Sequence, residues 1–318
     1  MVPEGIVDLL QIFLFPGFLF LFFLAFFGEW VDRKLVAKFQ NRYGPLYTGL
    51  KGILQPVADF LKLLAKEDIV PATTDKAIFS IVPILVLALS MTPLFLIPMA
   101  DYSSLVWFEG DLIVVMFLMT LVVVAIFMGA WASTDRFSTV GGTRAGLQML
   151  GYEIPMSIAM IGPAISGRSL SVSGIVQSQA GGLWYVITQP LGFAIALLCL
   201  LAHLQRVPFD VPEAESEIVA GWLVEFSGKK LALLRLAKNF ELVLASSLLV
   251  SLYFGGPLGF WLPHPSVYFF LKLIVCIFIF SNLRALFARF RIDQVLEGTW
   301  KYLTPLALLQ IILVVTLR

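Results

Sequence analysis

Carboxylates held against apolar surface are the first candidates for chemistry in this chain. Residues 206–228 carry Asp210, Glu213, Glu215, Glu217 and Glu225 between two long apolar stretches, interleaved with Phe209, Ile218, Trp222 and Phe226. Acids mixed with bulky apolar residues predict a loop packed back on protein or membrane. Each carboxylate there must be paired, hydrogen-bonded or protonated. If the loop is helical, Glu213 and Glu217 are like charges at i, i+4, and one of them is expected to hold a proton.

Two further constellations lie inside apolar runs. Glu153 sits in Gly-Tyr-Glu-Ile-Pro, where an acid costs a few kcal/mol to insert and commonly marks an ion path or a buried pair. Arg144, Gln148 and Tyr152 follow at i, i+4 and i+8 on an adjoining stripe, and Pro155 removes a backbone donor nearby. The second constellation is Arg235, Lys238 and Glu241 at i, i+3, i+6. Two bases and an acid on one helix face need partners, for which the acids of residues 206–228 or Glu153 are the candidates. A proton relay and a structural ion-pair network both satisfy these patterns.

Other chemistries are poorly served. His203 and His264 fall at opposite ends of the predicted spans, which argues against a bis-histidine haem. Cys199 and Cys276 form no CxxC pair and read as packing residues, so no iron–sulfur or zinc site is expected in the chain. No dinucleotide or phosphate-loop glycine pattern occurs. Electrons, if they are involved, travel elsewhere.

The elements that must position these groups are membrane helices. Hydrophobic residues make up 59% of the chain and charged residues only 14%, against roughly 25% charged in soluble domains. An all-α polytopic membrane protein follows, in a single domain over residues 1–318. About 20 apolar residues cross a bilayer, and eight stretches qualify: roughly 6–28, 77–99, 111–132, 146–166, 184–204, 231–254, 267–287 and 300–317. The acidic start, without a basic segment, argues against a cleaved secretory leader.

Most of the 22 basic residues follow the odd-numbered spans, among them Arg33, Lys34, Lys38 and Arg42, then Arg136 and Arg144, Arg206, and Arg284, Arg289 and Arg291. By the positive-inside rule those loops face the cytoplasm, with both termini outside and the acidic loop inside. Residues 53–66 predict a helix lying on the membrane, or docked on a soluble partner. Gln55, Asp59, Lys62 and Lys66 form its polar stripe, Ile53, Val57, Phe60, Leu61 and Leu64 its apolar side, and Pro56 its first turn.

Taken together, these residues resemble a known family. Asp32-Arg33-Lys34, Phe39-Gln40-Asn41-Arg42-Tyr43-Gly44-Pro45, Leu54-Gln55-Pro56-Val57-Ala58-Asp59, the Arg144…Gln148…Tyr152-Glu153 spacing, Pro208-Phe209-Asp210-Val211-Pro212-Glu213-Ala214-Glu215 and Glu225-Phe226-Ser227-Gly228 are similar to the H-type membrane subunit of complex I, NADH:quinone oxidoreductase. The resemblance spans essentially the whole chain. It implies a cytoplasmic pocket walled by the acidic loop, with a file of acids leading sideways. Glu153, Glu213, Glu215 and Glu225 are the implied channel or pocket acids. Arg33 and Asp59 are implied on the pocket side, together with Arg42, Gln55, Arg144, Arg206 and Asp210 around the pocket or the interface with the soluble arm. Glu217, Arg235, Lys238 and Glu241 join the expected ion path.

One departure from the family pattern points to a branch. Quinone-reducing relatives carry Phe-Phe-Leu-Ala-Glu-Tyr in span 6, where this chain reads Leu234-Arg235-Leu236-Ala237-Lys238-Asn239. Gly28-Glu29-Trp30-Val31-Asp32 and Ala65-Lys66-Glu67-Asp68-Ile69-Val70-Pro71 look like the membrane-bound [NiFe]-hydrogenase branch and related sulfur-reducing complexes. That likeness implies ferredoxin as donor, and iron–sulfur clusters and NiFe centres in soluble partner subunits. It also implies antiporter-like membrane neighbours and H⁺ or Na⁺ as the moved ion. A quinone-binding subunit is the alternative, and a stand-alone secondary transporter the third. The third lacks the inverted repeats and two-sided charge expected of it. No nucleic-acid role is expected.

Overall fold

The computed structural model describes residues 10–259 and 264–316, all of whose regular structure is helical. The expectations for residues 6–9, residue 317 and Arg318 lie outside the described residues. In chain order the helices are α1 (Phe18–Phe39), α2 (Gln55–Ala65), α3 (Lys76–Met91), α4 (Asp111–Ala132), α5 (Arg136–Gly167), α6 (Val172–Ser178), α7 (Tyr185–Thr188), α8 (Pro190–His203), α9 (Glu215–Ile218), α10 (Gly228–Tyr253), α11 (Pro265–Leu286), α12 (Ile292–Gly298) and α13 (Thr304–Thr316).

Among the described residues, five helical stretches are long and apolar enough to cross a membrane: Leu10–Phe39, Lys76–Leu96, Asp111–Ala132, Pro265–Leu286 and Ile292–Thr316. The chain is a polytopic membrane protein. The exceptions are informative. Helices α5 and α10 are long enough, at 32 and 26 residues, but their apolar character is interrupted by the very charges singled out above. Stretch 184–204 is broken: α7 and α8 are separated at Gln189, and α8 has only 14 residues, about 21 Å of helix. Stretch 146–166 is the outer part of a helix that starts ten residues earlier, where Asp135 caps it by accepting from Phe137 and Ser138 N–H.

Helix α10 is the hub. It packs on α3, α1, α11, α2 and α6, and every residue from Asn239 to Tyr253 is buried. A helix enclosed on all sides cannot turn polar groups towards water: Asn239 and Glu241 find protein partners, while the hydroxyls of Ser246, Ser247 and Ser251 are buried without one. Ala245, Ser246 and Ser247 are small enough for neighbouring helices to close on it.

Two glycines fix the acidic loop. A Cβ on Gly141 of α5 would sit 2.4 Å from the Trp222 nitrogen, so only glycine lets the loop backbone lie against that helix. Gly221 has φ +56 and no room for a Cβ beside the Pro212 carbonyl, 1.8 Å away. Trp222 is thereby sunk against Phe226, which stacks on Phe79 of α3 at 4.3 Å.

Candidate functional site

The loop, α1 and α10 enclose a polar cavity of about 320 Å³ lined by Glu29, Asp32, Arg33, Arg206, Asp210, Glu213, Glu215, Arg235, Lys238, Asn239 and Arg284. Most of its charges are tied to partners. Lys238 forms an ion pair with Glu213, whose carboxylate also accepts from Trp222 Nε1 at 3.0 Å. Asp32, 2% exposed, accepts from Arg206 and Arg284 at 2.7 Å each and from Ser281 at 2.7 Å. Arg33 bridges Glu29 and Asp59, and Asn239 donates to Glu29.

Helix α2 docks its polar stripe inwards. Gln55 donates to Asp59 at 2.8 Å and accepts from Thr48 at 2.5 Å. Leu54 and Leu61 are more than half exposed, while Lys62 and Lys66 face away from the bundle. The stripe is therefore split between a buried half that holds Arg33 and a solvated half. Burial pushes the Asp59 carboxyl up. The hydrogen bonds from Arg33 and Gln55, with the charges of Arg33 and Arg235, outweigh that and hold it below the ordinary aspartate value.

The acidic loop is α-helical only over Glu215–Ile218, with a 3₁₀ turn at Gly221–Leu223, so Glu213 and Glu217 do not become an i, i+4 pair. They turn to different partners. Glu217 accepts from Arg144 at 2.5 Å and pairs with Arg289; the Arg144 hydrogen bond holds its carboxyl below the ordinary glutamate value. Glu215 is exposed at the cavity rim. Glu225 is half-buried and does not line the cavity. Burial pushes the Asp210 carboxyl up, and the charges of Lys238, Arg289 and Arg284 offset only part of that. Arg42 is exposed, bonds to Gln40 at 2.8 Å and borders a second cavity, of about 390 Å³, with Arg33 and Arg284.

The α10 stripe does not act as one face. Arg235 is exposed at the cavity mouth and makes no ion pair among the described residues. Lys238 reaches into the cavity. Glu241, 5% exposed, sits one turn further into the bundle, where Ser90 of α3 donates to it at 3.2 Å. The α5 stripe also divides. Gln148 donates to the carbonyls of Ala202 and Phe209 at 2.7 and 3.0 Å, fixing the entry to the loop. Tyr152 OH meets His203 Nδ1 at 3.0 Å. Glu153 points the other way, to Thr120 of α4 at 2.5 Å, and its second oxygen is buried without a partner.

Sequence reasoning assigned no role to Asp32, Glu29, Asn239, Arg284, Ser90 or Thr120 as site residues. Glu29, Asp32 and Arg33 at i, i+3, i+4 closing an apolar helix were the available signal. The hydroxyls of Ser90 and Thr120 gave none. Among the described residues no cluster of His, Cys, Asp and Glu has the arrangement of a metal site.

The NADH dehydrogenase family model matches residues 11–315. The chain is 39% identical over 288 residues to an H-type NADH-quinone oxidoreductase subunit of Rhodopseudomonas palustris, covering 89% of this chain and 88% of that one. It is 37% identical over 302 residues to the H-type protein of Geobacillus kaustophilus (93% and 90% covered), and 36% over 297 residues to that of Dehalococcoides mccartyi (93% and 83%). A helical membrane bundle with a loop of acids folded over a polar cavity, matched end to end by these relatives, places the chain in the NADH dehydrogenase family, as a membrane subunit of the H type found in complex I oxidoreductases.

Proposed function

We propose that this chain is the coupling subunit of a ferredoxin-driven respiratory complex of the membrane-bound hydrogenase or sulfur-reductase type, turning reduction in a soluble arm into H⁺ or Na⁺ movement. The observation that carries the reading is the Lys238–Glu213 ion pair inside a half-open cavity, with buried Glu241 one turn above it. Protonation of Glu213 breaks the pair. The freed ammonium lies at i, i+3 from Glu241, on the same side of α10, and can turn towards it. Glu241 then keeps its charge, and Asp210, held closer to neutrality than an ordinary aspartate, resupplies protons at the mouth. From Glu241 the hydroxyl of Ser90 and the Thr120–Glu153 pair supply polar steps across α3 and α4, towards the side where an antiporter-like neighbour would pack.

The base-rich loops support an orientation with the cavity at the cytoplasmic face of the cell membrane, both termini outside, and soluble hydrogenase-like and iron–sulfur subunits docked over residues 206–228. Iron–sulfur clusters, and NiFe where present, would lie in those partners. Ion uptake into vesicles containing the intact complex tests the path. Glu153→Gln is expected to leave reduction running and uncouple uptake; wild-type uptake would remove Glu153 from it.

Quinone reduction is the second reading, favoured by the names of the relatives. Against it, the cleft between α1, α2 and α10, lined by Phe26, Phe60, Leu63 and Arg235, measures only about 20 Å³, far below the several hundred Å³ of a small-molecule site. Lys238 also stands where quinone-reducing relatives carry an acid. Quinone extraction from the complex and inhibition by quinone analogues decide between the two.

A further inference from the structure

A second cavity bordering the acidic loop is apolar and lies outside the charged cavity. It measures about 550 Å³ and is walled by the ends of α8 and α11, the Pro208–Phe209 turn, and the segment running from α12 into α13. That last segment is wound as a π-turn at Thr299–Leu303. Three polar side chains line the cavity: Gln294 accepts from the Arg291 N–H at 3.0 Å and Thr299 donates to the carbonyls of Val295 and Leu296, while the Tyr302 hydroxyl makes no hydrogen bond among the described residues. The other lining side chains are apolar and offer no hydrogen-bond partner to a ligand. A hydrocarbon chain asks for no such partner, and every methylene it buries contributes.

The rim is basic and aromatic. Of the four bases between residues 284 and 301, Arg284 is tied to Asp32, Arg289 to Glu217 and Lys301 to Glu297. Arg291, beside the lining residue Phe290, is exposed and makes no ion pair among the described residues, although its charge helps to hold Glu217 ionised. Phe287 and Tyr302, which line the groove, are each at least half exposed, as aromatic residues are at the headgroup level of a bilayer. We propose that this groove is a binding site for an anionic phospholipid, one acyl chain filling the cavity and the phosphate paired with Arg291. The occupant would brace the acidic loop from behind, because Phe290 N–H donates to the Pro208 carbonyl at 2.9 Å and its ring packs on Phe209 at 5.7 Å.

Gly298 supplies the test. It lines the groove with helical dihedrals, and a Cβ placed on it meets nothing within 4 Å. Gly298→Leu therefore plugs the cavity without a clash and improves the helix. The intact complex, exchanged into mixed micelles with equal amounts of phosphatidylglycerol and phosphatidylcholine of the same chain length, is analysed by native mass spectrometry. The wild type is expected to retain one phosphatidylglycerol, favoured about fivefold, as one basic contact allows. Gly298→Leu is expected to lower that retention at least about tenfold. Arg291→Glu, which leaves the groove open, is expected to abolish the headgroup preference. It carries the test alone if the first variant fails to assemble. Equal retention in Gly298→Leu, equal binding of the two lipids by the wild type, or a photo-crosslinking residue at position 298 that labels a protein subunit instead of lipid would each overturn the proposal.

Discussion

Two lysines enter this bundle from opposite ends, and they are held in opposite ways. Lys272 of α11 donates to the carbonyls of Phe254, Gly256 and Leu258 at 2.7, 2.9 and 2.7 Å, with its ammonium 4.4 Å from the centre of the Trp184 ring. Lys238 of α10 is paired with Glu213 and lies 5.5 Å from the Trp222 ring. Both have the same charge and an aromatic face. The difference is the acceptor. Backbone carbonyls do not take up protons in this range, so the acceptors around Lys272 are fixed; a carboxylate does, so the acceptor of Lys238 can be withdrawn. A cation among carbonyls fastens the end of a helix, whereas a cation among acids can be released.

The contrast can be broken by removing each lysine in turn. Lys238→Met leaves Glu213 without its cation and is expected to cut coupled ion uptake at least about tenfold, equivalent to roughly 1.4 kcal/mol on the limiting step, while reduction in the soluble arm continues. Equal loss of both activities would make the pair structural. Lys272→Met strands three carbonyls, whose lost charged donor costs on the order of 2–3 kcal/mol. The thermal midpoint of the complex is expected to fall while uptake per folded complex stays at the wild-type value. Uptake lost at an unchanged midpoint would erase the distinction.

Smaller effects sharpen it. Asp210 is held above its ordinary value, so the folded state binds its proton more readily than the unfolded chain. The linked stability penalty is absent below the unfolded value and grows as pH rises through the raised one. Asp210→Asn is expected to raise the midpoint slightly at neutral pH and not at acid pH; a pH-independent change would contradict that origin. Asp59 has the opposite sign. Its stabilisation by Arg33 and Gln55 is present above the unfolded value and lost as pH falls through the depressed one. Faster amide hydrogen exchange in α2 on acidification, absent in Asp59→Asn, would show it. Half-exposed as the pair is, the effect is expected to be the smallest of the four.

Hydrophobic length and the placement of bases made the helical membrane class legible from the sequence, because both are one-dimensional properties. Periodicity on α10 put Arg235, Lys238 and Glu241 on one stripe, yet said nothing about their separate fates. Those depend on which neighbour faces each turn. Glu213 and Glu217 were legible as acids in need of partners, and pairing them at i, i+4 required a helix that the non-helical Ala214 (ψ 90) interrupts. Asp32 was hidden for a different reason. Its partners Arg206, Ser281 and Arg284 lie 174, 249 and 252 residues away, and no local pattern announces contacts of that range. The split stripe of α2 shows the same limit: spacing places Gln55 and Asp59 on one face, and only packing decides that the face turns inwards.

The most direct measurement follows reduction and ion uptake together in vesicles containing the Glu241→Gln complex. An exchangeable Lys238 needs the Glu241 charge as its alternative partner. Reduction is therefore expected to continue near the wild-type rate while uptake per electron collapses. Uptake per electron unchanged in that variant would contradict coupling through the α10 pair.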